Sequence, residues 1–193
     1  VSGLALGMDS IAHMSALKNN INTIAVPGSG LSEKVLYPST NKILAQNIIQ
    51  NGGAMLSEFD DDFKATSWSF PQRNRIMAGI SNATLVIEAE LKSGTLITSK
   101  YAIEYNRDVL TIPHSIFSKT GEGPHMLLRL GATPITSSDD IIQTLGLKTK
   151  EKSLKRDYSN CSSDEIEIIE ILKEPRTRDE IIRMLEKPVY VTQ

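Results

Sequence analysis

Residues 70–98 read FPQRNRIMAGISNATLVIEAELKSGTLIT, and this stretch decides the fold. Pro71 suits the first turn of a short helix carrying Arg73, Asn74 and Arg75, because a missing N–H and a fixed φ do no harm there. Ser81-Asn82 then breaks the chain. Ala83 to Ala89 is an apolar run rich in branched residues, the profile of a strand buried on both faces of a parallel sheet. Lys92-Ser93-Gly94-Thr95 leads into a helix-like segment from Leu96 to Tyr105. A loop of small residues between a buried strand and a helix presents backbone N–H groups and the positive end of the helix dipole, which favours a phosphate. With two arginines upstream, the stretch is expected to form an anion site.

Working outward toward the start, Asn22 to Val26 is a second strand, and Pro27-Gly28-Ser29-Gly30 follows it as another glycine-rich loop. The spacing G-x-G matches neither the dinucleotide fingerprint nor the Walker pattern, and alone it means a tight turn. Two such loops, each after a buried strand, carry more weight, because ligands of open α/β sheets collect at the carboxyl ends of the strands. Val1 to Asp9 reads as the tail of a strand-to-loop unit, and Ala12, Ala16 and Leu17 form the apolar stripe of the helix that follows. His13 lies in that helix without a second ligand at a metal-like spacing, so it is read as a structural, hydrogen-bonding histidine. Tyr37-Pro38 closes the glycine loop, and Ser39 or Thr40 caps a helix through Ile43, Leu44 and Ile48 to Asn51. Ala54 to Ser57 is a short strand. The polar loop from Glu58 to Ser69 holds Phe59, Phe63 and Trp68, which either pin the loop or, with Phe70 as the strongest candidate, form a stacking platform for bases.

Downstream, Val109 to Ile112 is a further buried strand and Pro113 to Gly123 a loop, with His114 and His125 at its edges read as loop residues. Pro124 begins a helix stopped by Gly131. Thr133 to Ile135 is a brief strand, Ser138 caps a helix through Ile141, Ile142 and Leu145, and Gly146 ends the domain. The sustained β-α alternation predicts an α/β domain over residues 1–146 with a mostly parallel sheet. Residues 147–160 form a basic linker, in which Lys148, Lys150, Lys152, Lys155 and Arg156 oppose Glu151. In residues 161–193, Ser162 with Glu165 and Thr177 with Glu180 are capping boxes. The two helices they open resemble the front half of a helix-turn-helix or winged-helix unit. Acids outnumber bases there, which suits a protein contact better than a grip on phosphates.

Composition bounds the function. The chain has 193 residues, 40% of them hydrophobic, enough for one well-buried domain and a small appendage. No apolar run is long enough to span a bilayer, and a cytoplasmic location is expected. Cys161 is the single cysteine, which excludes a disulfide within the chain and a cysteine-based metal site. Net charge is −2, yet Lys64, Arg73, Arg75, Lys92, Lys100 and Arg107 make the organising stretch basic against Glu88, Glu90 and Glu104. No catalytic set, metal site or cofactor is predicted. Glu58 and Glu88 are expected to orient the arginines or to cap loop N–H groups, and Arg75 is read as serving either phosphate or the fold itself.

The succession SGLALGMD with His13 following, TIAVPGSG, YPSTN, GGAMLSE, FPQRNRIMAGIS, VIEAELKSGTLITSKYAIEYNR and GATPITSSDDI resembles the DNA-processing protein A family, also called DprA or Smf. The resemblance covers nearly all of Val1 to Ile141, in order. It implies an extended Rossmann-like domain, a small winged-helix-like domain after it, homodimers, binding of single-stranded DNA, and loading of the RecA recombinase during natural transformation. The nucleic-acid-binding residues implied are Gly28, Ser29, Gly30, Asn41, Phe70, Arg73, Asn74, Arg75, Lys92, Ser93, Gly94 and Thr95. Departures are Leu6 where a basic residue is frequent, Pro113-His114 where the family has Pro-Gly, and His125 where asparagine is common. The family's Gly-Ser-Arg motif would precede Val1.

Two other classes share the pattern. One is a nucleoside-monophosphate phosphoribohydrolase of the lysine-decarboxylase-like type, whose Pro-Gly-Gly-x-Gly-Thr-x-x-Glu loop aligns with Gly94-Thr95 but puts Thr98 at the glutamate. The other is a protein-interaction scaffold working through the acidic tail.

Overall fold

The computed structural model describes residues 1–147, 161–172 and 176–185. The chain divides into two compact units, Val1–Lys148 and Thr149–Gln193. The basic stretch from Lys148 to Arg156 and the turn at Glu174-Pro175 lie outside the described residues.

The first unit opens with α1 (Met8–Lys18), β1 (Ile24–Ala25), α2 (Lys42–Gln50) and β2 (Ala54–Met55). It continues through α3 (Ser69–Ile80), β3 (Ala83–Val86), α4 (Thr95–Glu104), β4 (Asp108–Thr111), α5 (Glu122–Arg129), β5 (Thr133–Pro134) and α6 (Ser138–Thr144). Every strand pairing is parallel: β1 lies beside β2, and β4 lies between β3 and β5. Ser2 adds a parallel bridge to Ala25. Parallel neighbours need a crossover, and the helices between successive strands supply it. The result is the mostly parallel α/β class that the alternation predicts, in the Rossmann-like form that the resemblance implies.

The strands are shorter than the apolar runs suggest. The run from Ala83 to Ala89 is strand only to Val86, because beyond it the chain bonds to a loop. Ala89 N–H donates to the Thr120 carbonyl (2.8 Å), and His114 Nε2 meets the Ile87 carbonyl (2.6 Å). Nor is this strand buried on both faces. Val86 and Val109 pack with Ala78, Ala102 and Leu127 in one core cluster. Leu85, pointing the other way by the two-residue period, is 37% exposed and lines an open cleft with Ile112, Ile135 and Ile141. A second cluster joins Leu4, Ala25, Leu36, Ala45 and Ile48.

Helix ends differ in detail from the sequence reading. The cap of α6 is Ser137 and not Ser138: Ser137 Oγ accepts from Asp140 N–H while Asp140 Oδ2 accepts from Ser137 N–H. The α2 helix has no side-chain cap; a 3-10 turn over Ser39–Asn41 leads into it after the cis Tyr37-Pro38 bond. In the second unit, α7 (Ser163–Ile171) and α8 (Arg178–Met184) both carry the expected capping boxes. Hydrogen bonds from Ser162 and Thr177 hold the Glu165 and Glu180 carboxyls below their ordinary range.

Candidate nucleic-acid interface

The α3 helix gives its two arginines opposite fates. Arg73 is only 5% exposed. Its Nη1 donates to the carbonyls of Gly3 (2.8 Å) and Val26, and its Nε to Asn74 Oδ1 (3.2 Å). Burial pushes its guanidinium pKa down, opposed by the nearby charge of Asp9. Arg75 faces outward and forms an ion pair with Glu58. Glu58 therefore orients one arginine, whereas Glu88 stands exposed on the segment after β3.

Asn74 joins the helix to the loop ahead of α4. Its Nδ2 donates to the Gly94 carbonyl at 3.2 Å. In that loop Ser93 Oγ accepts from Thr95 N–H (3.2 Å), and Lys92, Gly94 and Thr95 are exposed. A Cβ added to Gly94 would meet no atom within 4 Å, so the backbone there is open to approach. The Gly94 N–H makes no hydrogen bond among the described residues, which leaves a donor free at the N-cap of α4.

The Gly28-Ser29-Gly30 loop is closed instead. All three residues are buried. Ser69 Oγ donates to the Gly28 carbonyl (2.6 Å), Ser57 Oγ to the Ser29 carbonyl (2.8 Å), and Gly30 N–H to the Phe63 carbonyl (2.9 Å). A Cβ on Gly28 would lie 2.5 Å from the Phe70 ring, and one on Gly30 would lie 2.1 Å from the Asp60 carbonyl oxygen. The smallness of these residues lets neighbouring chain close over them. Asn41 is similarly occupied, its Nδ2 donating to the Leu4 carbonyl and to Ser10 Oγ, both at 2.8 Å.

Phe70 sits half-buried over Gly28, its ring 5.6 Å from that of Tyr37 and tilted by 54°. Tyr37 keeps 54% of its surface exposed. In the sequence Tyr37 marks only the close of a turn, and no periodic signal distinguishes it. Phe59, Phe63 and Trp68 form a separate cluster with centroid separations of 4.5–5.8 Å. His114 and His125 are both tied to carbonyls, His125 Nε2 lying 3.0 Å from the His114 oxygen. His13 is fully buried with Nδ1 2.8 Å from Thr23 Oγ1, the structural use expected of it.

Thus the structure brings Phe70, Arg75 and Lys92 to Thr95 to the rim around the start of α3 and the loop into α4, with Asn74, 7% exposed, buried beneath it as a tie between the two. It draws Arg73, Asn41 and Gly28 to Gly30 into the body beneath. Thr98 is buried at 9% exposure. Clefts elsewhere include the one beside Leu85 and another at the beginnings of β4 and β5, lined by Asn106, Arg107 and Gly131.

A parallel α/β unit with loops gathered at the strand ends defines the Rossmann-like class whose ligands meet that edge. Residues 1–146 match the family of DNA recombination-mediator protein A, and the chain belongs to it. It is 42% identical over 144 residues to Protein Smf of Escherichia coli (strain K12), covering 75% of this chain and 38% of that protein. It is 46% identical over 142 residues to DNA processing protein DprA of Streptococcus pneumoniae, covering 74% and 49%. The X-ray structure of that streptococcal protein matches with a TM-score of 0.67 at 43% identity, over 74% of this chain and 49% of its own. DNA processing protein A from Helicobacter pylori, whose structure concerns its single-stranded DNA binding mode, matches with a TM-score of 0.65 at 34% identity, over 75% and 64%. The chain spans less than half the length of these two curated relatives.

Proposed function

We propose that the protein binds single-stranded DNA without strong sequence preference, protects it, and delivers a RecA-type recombinase onto it in natural transformation and recombination. Family membership supports this reading, as does the relative from Helicobacter pylori with its single-stranded DNA binding mode. The observation that carries it here is the Asn74–Gly94 hydrogen bond of 3.2 Å. It draws the arginine-bearing turn of α3 against the open N-terminus of α4. Arg75, Lys92, Thr95 and the Gly94 backbone then share one rim, where side-chain charge and the Gly94 N–H hold phosphates. Phe70 and Tyr37 offer rings on which a base beyond it stacks, a base that a duplex keeps stacked away.

The work is binding and not bond making, carried out as a homodimer in the cytoplasm. The capped helices α7 and α8 belong to a winged-helix-like unit over residues 161–193 that contacts protein. Filter binding of the full-length protein to matched single strands and duplexes, across a salt series, tests the reading. Single strands should bind more tightly, with affinity falling steeply as salt rises. Equal affinity for duplex, or binding indifferent to salt, overturns it.

A further inference from the structure

We infer that Phe117 is a second base-stacking platform, at the far end of the rim from Phe70, taking an unpaired base of the same DNA strand. The inference rests on the single-strand reading above and extends its site to a residue outside the motifs that define it.

Phe117 is 92% exposed and its neighbour Ile116 80%. An apolar ring in water on a fraying loop would mean little, but this loop is held. Phe117 N–H donates to Ser115 Oγ (3.3 Å) and Ser118 N–H to the Ser115 carbonyl (3.0 Å). Gly121 packs beneath His114, where a Cβ would come within 2.6 Å. His114 Nε2 reaches the Ile87 carbonyl at 2.6 Å, and Thr120 accepts from Ala89 N–H at 2.8 Å. The ring is therefore presented by a fixed backbone.

The position is continuous with the rim. Ser69 Oγ ties the start of α3 to Gly28 (2.6 Å), Asn74 ties α3 to Gly94 (3.2 Å), and Ala89, upstream in the same connection as Gly94, ties on to Thr120 (2.8 Å). This line of hydrogen bonds runs along the strand ends from the Phe70 loop, past Lys92, to the Phe117 loop. Charge along it is mixed: Arg75 is paired with Glu58, Lys92 stands two residues from Glu90, and Lys119 shares the Phe117 end with Glu88 and Glu122. Phosphate attraction alone is weak beside those acids, so a strand following the rim needs an uncharged hold. Stacking on an exposed ring supplies one and tolerates any base. Phe70 is less free for that task, since its ring covers Gly28 and abuts Tyr37.

The test uses full-length protein and oligothymidylates of increasing length. Phe117→Ala should lose about five- to a hundredfold affinity for strands long enough to reach the second loop. Affinity for the shortest binding strands should not change. Phe117→Trp, made in a Trp68→Phe background, should restore affinity and show fluorescence quenching as the long strand binds. Unchanged affinity of Phe117→Ala at every length, or tryptophan emission indifferent to DNA, overturns the inference while leaving the proposed function intact. So does a defect confined to self-association or recombinase binding, which would make Phe117 a protein contact. Failure of the parent protein to bind any single strand overturns both.

Discussion

Arg73 Nη1 donates to the carbonyl oxygen of Gly3 at 2.8 Å, joining residues 70 positions apart in sequence. The same nitrogen donates to the Val26 carbonyl. Arg73 thereby clips α3, which packs on α4 beside the β3–β5 sheet, to the edge where Ser2 pairs with β1. Gly3 is suited to its place because the guanidinium fills the space a side chain would need, with a Cβ there falling 2.6 Å from Nη2.

The two arginines of α3 should therefore separate in mutants. Arg73→Ala leaves two buried carbonyls short of a donor and should cost roughly 1–3 kcal/mol for each, read by urea denaturation. Arg75→Ala should keep its stability within about 0.5 kcal/mol, since an exposed ion pair contributes little. It should nevertheless weaken single-stranded DNA of any sequence and flatten the salt slope by about one. A normal melt for Arg73→Ala, or an unchanged salt slope for Arg75→Ala, reverses the assignment.

The glycines divide in the same way. Gly94 has helical backbone (φ −58°, ψ −22°) and open space around it, so Gly94→Ala should fold normally. If a phosphate comes against its backbone, the added methyl should lower DNA affinity without changing thermal stability. Gly28→Ala drives a methyl into the Phe70 ring and should destabilise by roughly 1–3 kcal/mol. Thermal melts paired with binding isotherms separate a methyl that blocks ligand from one that disturbs packing.

His13 predicts a pH dependence. Burial lowers its pKa below the ordinary 6.5, more than the neighbouring Asp9 raises it. The unfolded chain therefore takes up the proton more readily than the folded one. The stability at stake is fully present above about pH 6.5 and declines as pH falls below that value. His13→Asn keeps a polar group near Thr23 and removes the titration. Denaturation at about pH 7.5 and 5.5 should show the parent losing more stability than the variant on acidification. Parallel losses in both would place the acid sensitivity elsewhere.

One residue type argues against the rival enzymatic chemistry. The phosphoribohydrolase loop places a glutamate where Thr98 stands, and Thr98 is buried on α4. A neutral hydroxyl cannot offset positive charge developing on a ribose as a carboxylate does. Nucleoside monophosphates should compete weakly with DNA and release no free base, as chromatography of overnight incubations can establish. Multiple turnovers abolished by Arg75→Ala would argue for the enzyme.

What could be read from the sequence was local. The β-α alternation, the glycine stops and the boxes Ser162/Glu165 and Thr177/Glu180 involve neighbours within a few residues, and short-range sterics and hydrogen bonding fix them whatever the rest of the chain does. The motif string covering nearly all of Val1 to Ile141 likewise pointed to the family. Which arginine faces the ligand could not be read this way, because Arg73 and Arg75 lie about 200° apart on a helix and either side can face inward. The choice was made by partners far along the chain, Gly3 and Val26 for Arg73 and Glu58 for Arg75. The same holds for the two glycine loops, alike in composition. Gly28 to Gly30 is covered by Phe70 and the chain at Asp60, while Gly94 stays open. Sequence set which groups could bind; burial, which depends on contacts between distant segments, decided which of them remain free to do so.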